Sequence, residues 1–153
     1  VYNKAVTVLK GLRMSEPLDA KAIRDEVIHY TCVSNCFGKR HNSAGCCKMA
    51  DRDFIIGPID DAQEFLKRLN TRDKTKYKFS DIFIEYKEGS KLFPDKVSWQ
   101  DPNHYPALRL QMNDPEFACN FLSEKQECTV YGIRPKTCRN YLCEHLKKIV
   151  DLL

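Results

Sequence analysis

Eight cysteines in 153 residues constrain this chain more than any other feature. They fall into two bunches of four: Cys32, Cys36, Cys46 and Cys47, then Cys119, Cys128, Cys138 and Cys143. The 71 residues between Cys47 and Cys119 contain none. An even count admits a disulfide framework. Against it, the chain is longer than most disulfide-dense modules, and its 42% hydrophobic residues can build a core without cross-links. Bunches of four suit soft-metal ligation instead, because Zn(II) and iron–sulfur clusters are commonly held by four thiolates. Adjacent Cys46 and Cys47 do not easily bond each other, but they can serve one site or two neighbouring ones. Eight cysteines used only as small core residues would be unusual.

The length suits one domain, residues 1–153, with a real core. Charged residues make up 30%, and the net charge is 25 − 21 = +4. Basic residues are interleaved with acids, as in Lys67-Arg68 near Asp61 and Glu64, so the chain lacks the concentrated stripe of a nucleic-acid binder. No apolar run approaches the roughly 20 residues of a membrane span, which argues against membrane insertion. The first residues show no secretory signal, and with Val1 in place of a methionine a removed leader stays open. Metal-binding thiols and the ordinary charge pattern fit a cytoplasmic protein.

Along the chain, residues 1–14 suggest a short helix ending near Gly11. Asp19 is placed to cap a helix through about Tyr30, with Ile23, Val27 and Tyr30 on one face, delivering Cys32. Residues 32–47 (CVSNCFGKRHNSAGCC) form a polar, glycine- and asparagine-punctuated loop suited to a metal knuckle. Residues 53–60 (DFIIGPID) read as a short strand and a turn, and Asp60 with Gln63 resembles a capping box for a helix whose apolar face is Phe65, Leu66 and Leu69. Residues 76–89 alternate as a strand with Phe79, Phe83 and Tyr86 packed. Residues 92–106 read as a polar loop holding Trp99 and His104. Short strands follow at 107–112 (Leu108 and Leu110 on one face) and 116–122 (carrying Cys119). Pro135 suits the first turn of a helix whose stripe is Leu142, Leu146, Ile149 and Leu153. Cys138 and Cys143 lie about 140° apart on a regular helix, so they reach one site only if that helix is distorted near its start.

The cysteine-bearing segments resemble a family. Cys32, Cys36 and Ala44-Gly45-Cys46-Cys47 are followed by Cys119-Asn-Phe121-Leu122, then Cys128-Thr-Val-Tyr131-Gly-Ile-Arg134-Pro135-Lys-Thr-Cys138-Arg139, then Cys143. This order is similar to that of the YkgJ-like CxxCxxCC family of zinc- or iron-chelating cysteine-cluster proteins, over residues 32–146. All eight cysteines find a counterpart, and the Arg-Pro-x-x-Cys-Arg half is the more specific. The family spaces its first four cysteines more closely, whereas here nine residues, including His41, separate Cys36 from Cys46.

The expected fold is α+β: helices around a short antiparallel sheet, with a metal site tying the 32–47 loop to the 119–143 segment. The expected metal ligands are the eight cysteines. Arg134 and Arg139, flanking Cys138, either offset thiolate charge at the cofactor or serve as ordinary surface residues. His145 is near enough to Cys143 to ligate and His41 lies within the first cysteine loop, but for both, as for His29 and His104, a surface or satisfied histidine is the favoured reading, because eight thiols already fill two four-ligand sites. A 4Fe-4S cluster is favoured and zinc stays open, since all-cysteine loops suit both. No catalytic constellation is visible, nor a glycine-rich cofactor loop, nor the Cys-x3-Cys-x2-Cys of radical enzymes. The expected role is therefore a non-catalytic, redox- or oxygen-responsive accessory of a larger protein complex, such as an anaerobic enzyme. Longer family members are linked to flagellin lysine methylation, so the resemblance also implies an iron-dependent modifying enzyme as one alternative; a zinc-stabilised interaction module is another.

Overall fold

The computed structural model of the chain describes residues 19–38 and 44–152. The helix expected within residues 1–14, His41 and Leu153 lie outside them. Helix α1 (Ala20–Tyr30) begins where expected: Asp19 Oδ1 accepts the Lys21 N–H at 3.0 Å. It buries none of its residues. Its last turn widens into a π-helical turn, Thr31–Cys36, where Thr31 Oγ1 donates to Val27 O. Helix α2 (Ala62–Asp73) buries Ala62, Phe65 and Leu69. Its N-cap is Asp61, not Asp60, and the Asp61 side chain caps nothing on its own helix. The carboxylate is instead committed across the fold, as described below.

The strand expected over 76–89 is largely helical. Helix α3 (Phe79–Ile82), the two-residue strand β1 (Phe83–Ile84) and helix α4 (Tyr86–Leu92) replace it. Asp81 Oδ2 accepts the Lys78 N–H at 2.8 Å and opens a helical turn in place of a ladder. Phe79 and Phe83 are four residues apart, a spacing that puts them on one side of a strand and of a helix alike. Their rings stack at 4.6 Å. Strand β2 (Ala107–Leu108) pairs antiparallel with β1, Phe83 opposite Leu108 and Ile84 opposite Ala107.

On the other side of β2, residues 55–59 run extended without becoming a strand. Leu108 N donates to Ile56 O and Ile59 N to Pro106 O, and Pro58 between them has no N–H to offer. Gly57 is required there: a Cβ would stand 2.1 Å from His104 O. The expected strands at 107–112 and 116–122 shrink to β2 and to isolated bridges, Leu110 to Cys119, Lys48 to Ala118 and Leu122 to Cys128.

The 92–106 segment is not a polar surface loop. Trp99 is 0% exposed, donates Nε1–H to Phe54 O at 3.0 Å and packs on Phe93 at 4.5 Å. It belongs to the main core with Phe65, Leu69, Phe83, Ile84 and Leu108. A smaller cluster of Phe37, Ala44, Ala118 and Leu122 sits beside it. Among the described residues, no helix is long and apolar enough to cross a membrane. The architecture is the expected α+β, with the helices predominating.

Candidate metal centre

Where the second bunch of cysteines ends, the chain must change direction. Helix α5 (Lys136–Asn140) carries Cys138, and helix α6 (Glu144–Val150) follows. Tyr141 and Cys143 between them are extended, with ψ of 124° and 164°. The expected continuous helix is therefore interrupted, and this is the distortion that lets Cys138 and Cys143 face one space. Leu146 on α6 is buried as the stripe predicts.

Asp61 locates α5. Its Oδ1 accepts the Lys136 N–H at 2.9 Å, the first N–H of α5, across 75 residues of sequence. Its Oδ2 lies 3.0 Å from Arg68 Nη2 and 3.8 Å from Arg139 Nη2. The Asp61 side chain is only 4% exposed. Burial pushes its carboxyl up, but the Lys136 N–H and the Arg68 guanidinium together outweigh burial and hold it below the usual carboxylate range. Thr137 Oγ1 adds a bond to Pro58 O.

The remaining cysteines are placed by backbone pairing. Cys119 N donates to Cys47 O at 2.7 Å, while Met49 N and Ala50 N share Glu116 O. The Leu122–Cys128 bridge, with Thr129 N donating to Phe121 O, sets Cys128 on the same side. Lys96 holds the turn after Cys47 from outside. Its Nζ donates to Met49 O at 2.6 Å, Ala50 O at 3.1 Å and Arg52 O at 2.7 Å.

All eight cysteines line one cavity of about 450 Å³. All eight are free thiols. They divide by environment. Cys119 is part of the main core, and Cys47, Cys128 and Cys138 pack against it. Cys32 packs against the smaller cluster, as Cys47 and Cys128 also do. Cys36 takes the Ala44 N–H at 3.4 Å. Cys46 Sγ lies 3.8 Å from Cys47 Sγ. Among the described residues, no three Cys, His, Asp or Glu side chains are already gathered as ligands of a single ion. The thiols ring a space and not a point.

Burial pushes most of these thiols up: Cys119, Cys128 and Cys32 all rise, and Cys138 reaches about 12. Within the vicinal pair, the S–H···Sγ contact between Cys47 and Cys46 lowers Cys46 and raises Cys47, so Cys46 is the member of the pair that ionises first. Arg52 and Arg134 favour that thiolate further. Because metal is held by thiolates, a metal entering this cavity would have to displace thiol protons, and its binding would strengthen as pH rises. The donor set, eight soft sulfur ligands with two guanidinium groups on the wall, fits zinc or an iron–sulfur centre.

Arg134 lines the cavity. Arg139 does not: it is 47% exposed and turned to Asp61. His145 is among the lining residues, while His29 lies against Tyr131 at 5.3 Å and His104 Nδ1 contacts Ser98 O at 2.7 Å. Arg52 was not anticipated. It lines the cavity, donates to Gly45 O and stacks on Phe54 at 4.2 Å. The available signal was an arginine in the polar turn directly after the double cysteine. Asp61, the anchor of α5, gave no such signal, because its partners lie far along the chain.

Fold and site together define a small α+β domain whose helices and bridges converge on a cysteine-lined cavity. Residues 32–151 match the family model CxxCxxCC, described as a putative zinc- or iron-chelating domain, and the chain belongs to that family, whose description makes it a metal-binding protein. No curated protein and no solved structure matches the chain.

Proposed function

We propose that the chain binds a multinuclear metal centre, an iron–sulfur cluster ahead of zinc, and serves as a non-catalytic, redox-responsive accessory of a larger cytoplasmic protein assembly. The observation that carries this reading is the convergence of all eight thiols on one cavity. A single tetrahedral ion uses four thiolates, and eight on a common wall exceed that need. Cys47, Cys119, Cys128 and Cys138, seated on the main core, would hold the centre most firmly. Cys32, Cys36, Cys46 and Cys143 would complete it or hold a second metal. When bound, an iron–sulfur centre supplies electron acceptance and sensitivity to oxygen.

What this chain's own residues do is more limited. Asp61 orients α5 and so Cys138. Lys96 and Arg52 fix the turn behind Cys46 and Cys47. Arg52 and Arg134 favour ionised sulfur within the cavity. The partner is proposed to be a protein complex such as an anaerobic enzyme, whose docking changes with the state of the centre.

Iron, zinc and acid-labile sulfide per chain, with a visible spectrum, on protein purified without oxygen, test the reading. About four irons with matching sulfide and a brown absorbance bleached by dithionite support it. Colourless protein with one or two zincs replaces the redox role by a structural clamp. Equal binding of a partner in air and under nitrogen removes the oxygen response.

A further inference from the structure

Among the described residues, two buried polar atoms beside the cysteines make no hydrogen bond of good geometry: Arg134 Nε and Tyr131 Oη. Other arginines of the fold are matched with oxygen. Arg52 donates to Gly45 O and Lys48 O, Arg68 to Asp61, Arg72 to Asp73 and Thr129 O, and Arg109 to both carboxylate oxygens of Glu88. A guanidinium N–H withdrawn from water with no acceptor is costly unless something else fills the place. Arg134 is nevertheless held firmly. Its guanidinium carbon lies 3.7 Å from the centroid of the Tyr131 ring, and that ring is braced edge-on by Phe37 at 5.7 Å and His29 at 5.3 Å. The two unmatched groups are thus one unit, with Arg134 on the cavity wall.

We infer that Arg134, seated on Tyr131, is the charge-compensating donor to the bound centre, and that its Nε–H, seconded by the Tyr131 O–H, is aimed at a sulfur acceptor, either a metal-bound thiolate or an inorganic sulfide. This rests on the metal-centre reading and assigns the unit a role in it. Sulfur is the acceptor that the cavity offers. The cavity wall carries eight sulfur atoms, and Tyr131 Oη stands beside Cys32. A centre ringed by thiolates is anionic, and a planar cation bearing an unfilled N–H meets both its charge and its lone pairs. Arg134 is therefore a positioning and tuning residue, and it makes no bond to metal.

The test compares wild type, R134Q, R134K and Y131F as full chains purified without oxygen. Metal and sulfide content are measured first, then loss of metal to a chromophoric chelator, and the midpoint potential where the centre is redox-active. R134Q is expected to release metal about 10- to 100-fold more readily, the range for outer-shell partners, with a more negative potential as positive charge is lost. R134K, which keeps charge but loses the fork, is expected in between, and Y131F to weaken retention less than R134Q. Loaded wild type with R134Q and Y131F both matching it overturns the inference while leaving the metal centre intact. Wild type that binds neither metal nor sulfide overturns both. Where R134Q does not fold by circular dichroism, Y131F and R134K decide: weakened retention supports the inference and unchanged retention overturns it. Acid-labile sulfide distinguishes the two sulfur sources.

Discussion

Replacing Asp61 by alanine removes the anchor of α5 without touching a cysteine. The carboxylate accepts from Lys136 N at 2.9 Å and Arg68 Nη2 at 3.0 Å, and its side chain is 4% exposed. Leaving the Lys136 N–H without its acceptor costs about 1–3 kcal/mol. The half-exposed Arg68 adds under about 1 kcal/mol. A total of about 1–4 kcal/mol lowers Tm by about 3–15 °C for a domain of this size. Asn at position 61 keeps an oxygen for Lys136 N–H and loses the ion pair, so D61N should lose about 1 kcal/mol. The pH dependence has a definite sign. Asp61 has a folded pKa below its unfolded value of about 3.9. Its contribution is fully present above the unfolded pKa and is lost as pH falls through the folded one. The gap between wild type and D61N should hold constant from pH 7 to about 5 and close below about 4. Urea unfolding of reduced, metal-free protein across this range measures it. A D61A loss under about 0.5 kcal/mol, or a gap that widens in acid, would refute the idea that this carboxylate positions α5.

Other substitutions probe different parts of the structure. K96M should cost about 2–3 kcal/mol, because three carbonyls lose one shared ammonium, and reaction of Cys46 and Cys47 with a thiol reagent should quicken as their turn loosens. W99F should cost about 1–3 kcal/mol and W99A about 3–5, by chemical denaturation, since Trp99 loses its bond to Phe54 O in both and its volume in the second. C119S should abolish firmly held metal and C36S should spare part of it, by metal analysis after chelator challenge; equal losses would contradict the difference in seating. E88Q should shift stability by less than about 1 kcal/mol, because its pair with Arg109 is half-exposed.

Local chemistry was the legible part. Asp19 declared its helix by capping it within two residues, and Pro135 stands immediately before α5. The cysteine spacing pointed to metal ligation at one site or two, and all eight thiols line one cavity. Readings failed where a period served two structures or a partner was remote. Phe79 and Phe83 fit a strand or a helix equally, and the Asp81 carboxylate tipped the balance. Asp60 looked like the cap because Gln63 stood three residues on, while its neighbour Asp61 serves α5 75 residues away. Polar company disguised Trp99, whose burial depends on a carbonyl 45 residues earlier. Arg52 and Arg139 differ only in what lies opposite them in space, which spacing does not encode.

The break between α5 and α6 bears on how the protein comes into being. Cys138 and Cys143, one on each side of this break in the chain, both line the cavity, and they are the last of the eight in the sequence. A domain generally folds as a unit, so the cavity wall is complete only once this last segment is available. Six thiols are made ahead of the last two, and α5 is anchored on Asp61, 75 positions earlier than Lys136. A chain that stopped before Cys138 would carry six of the eight thiols without the segment that completes the cavity wall.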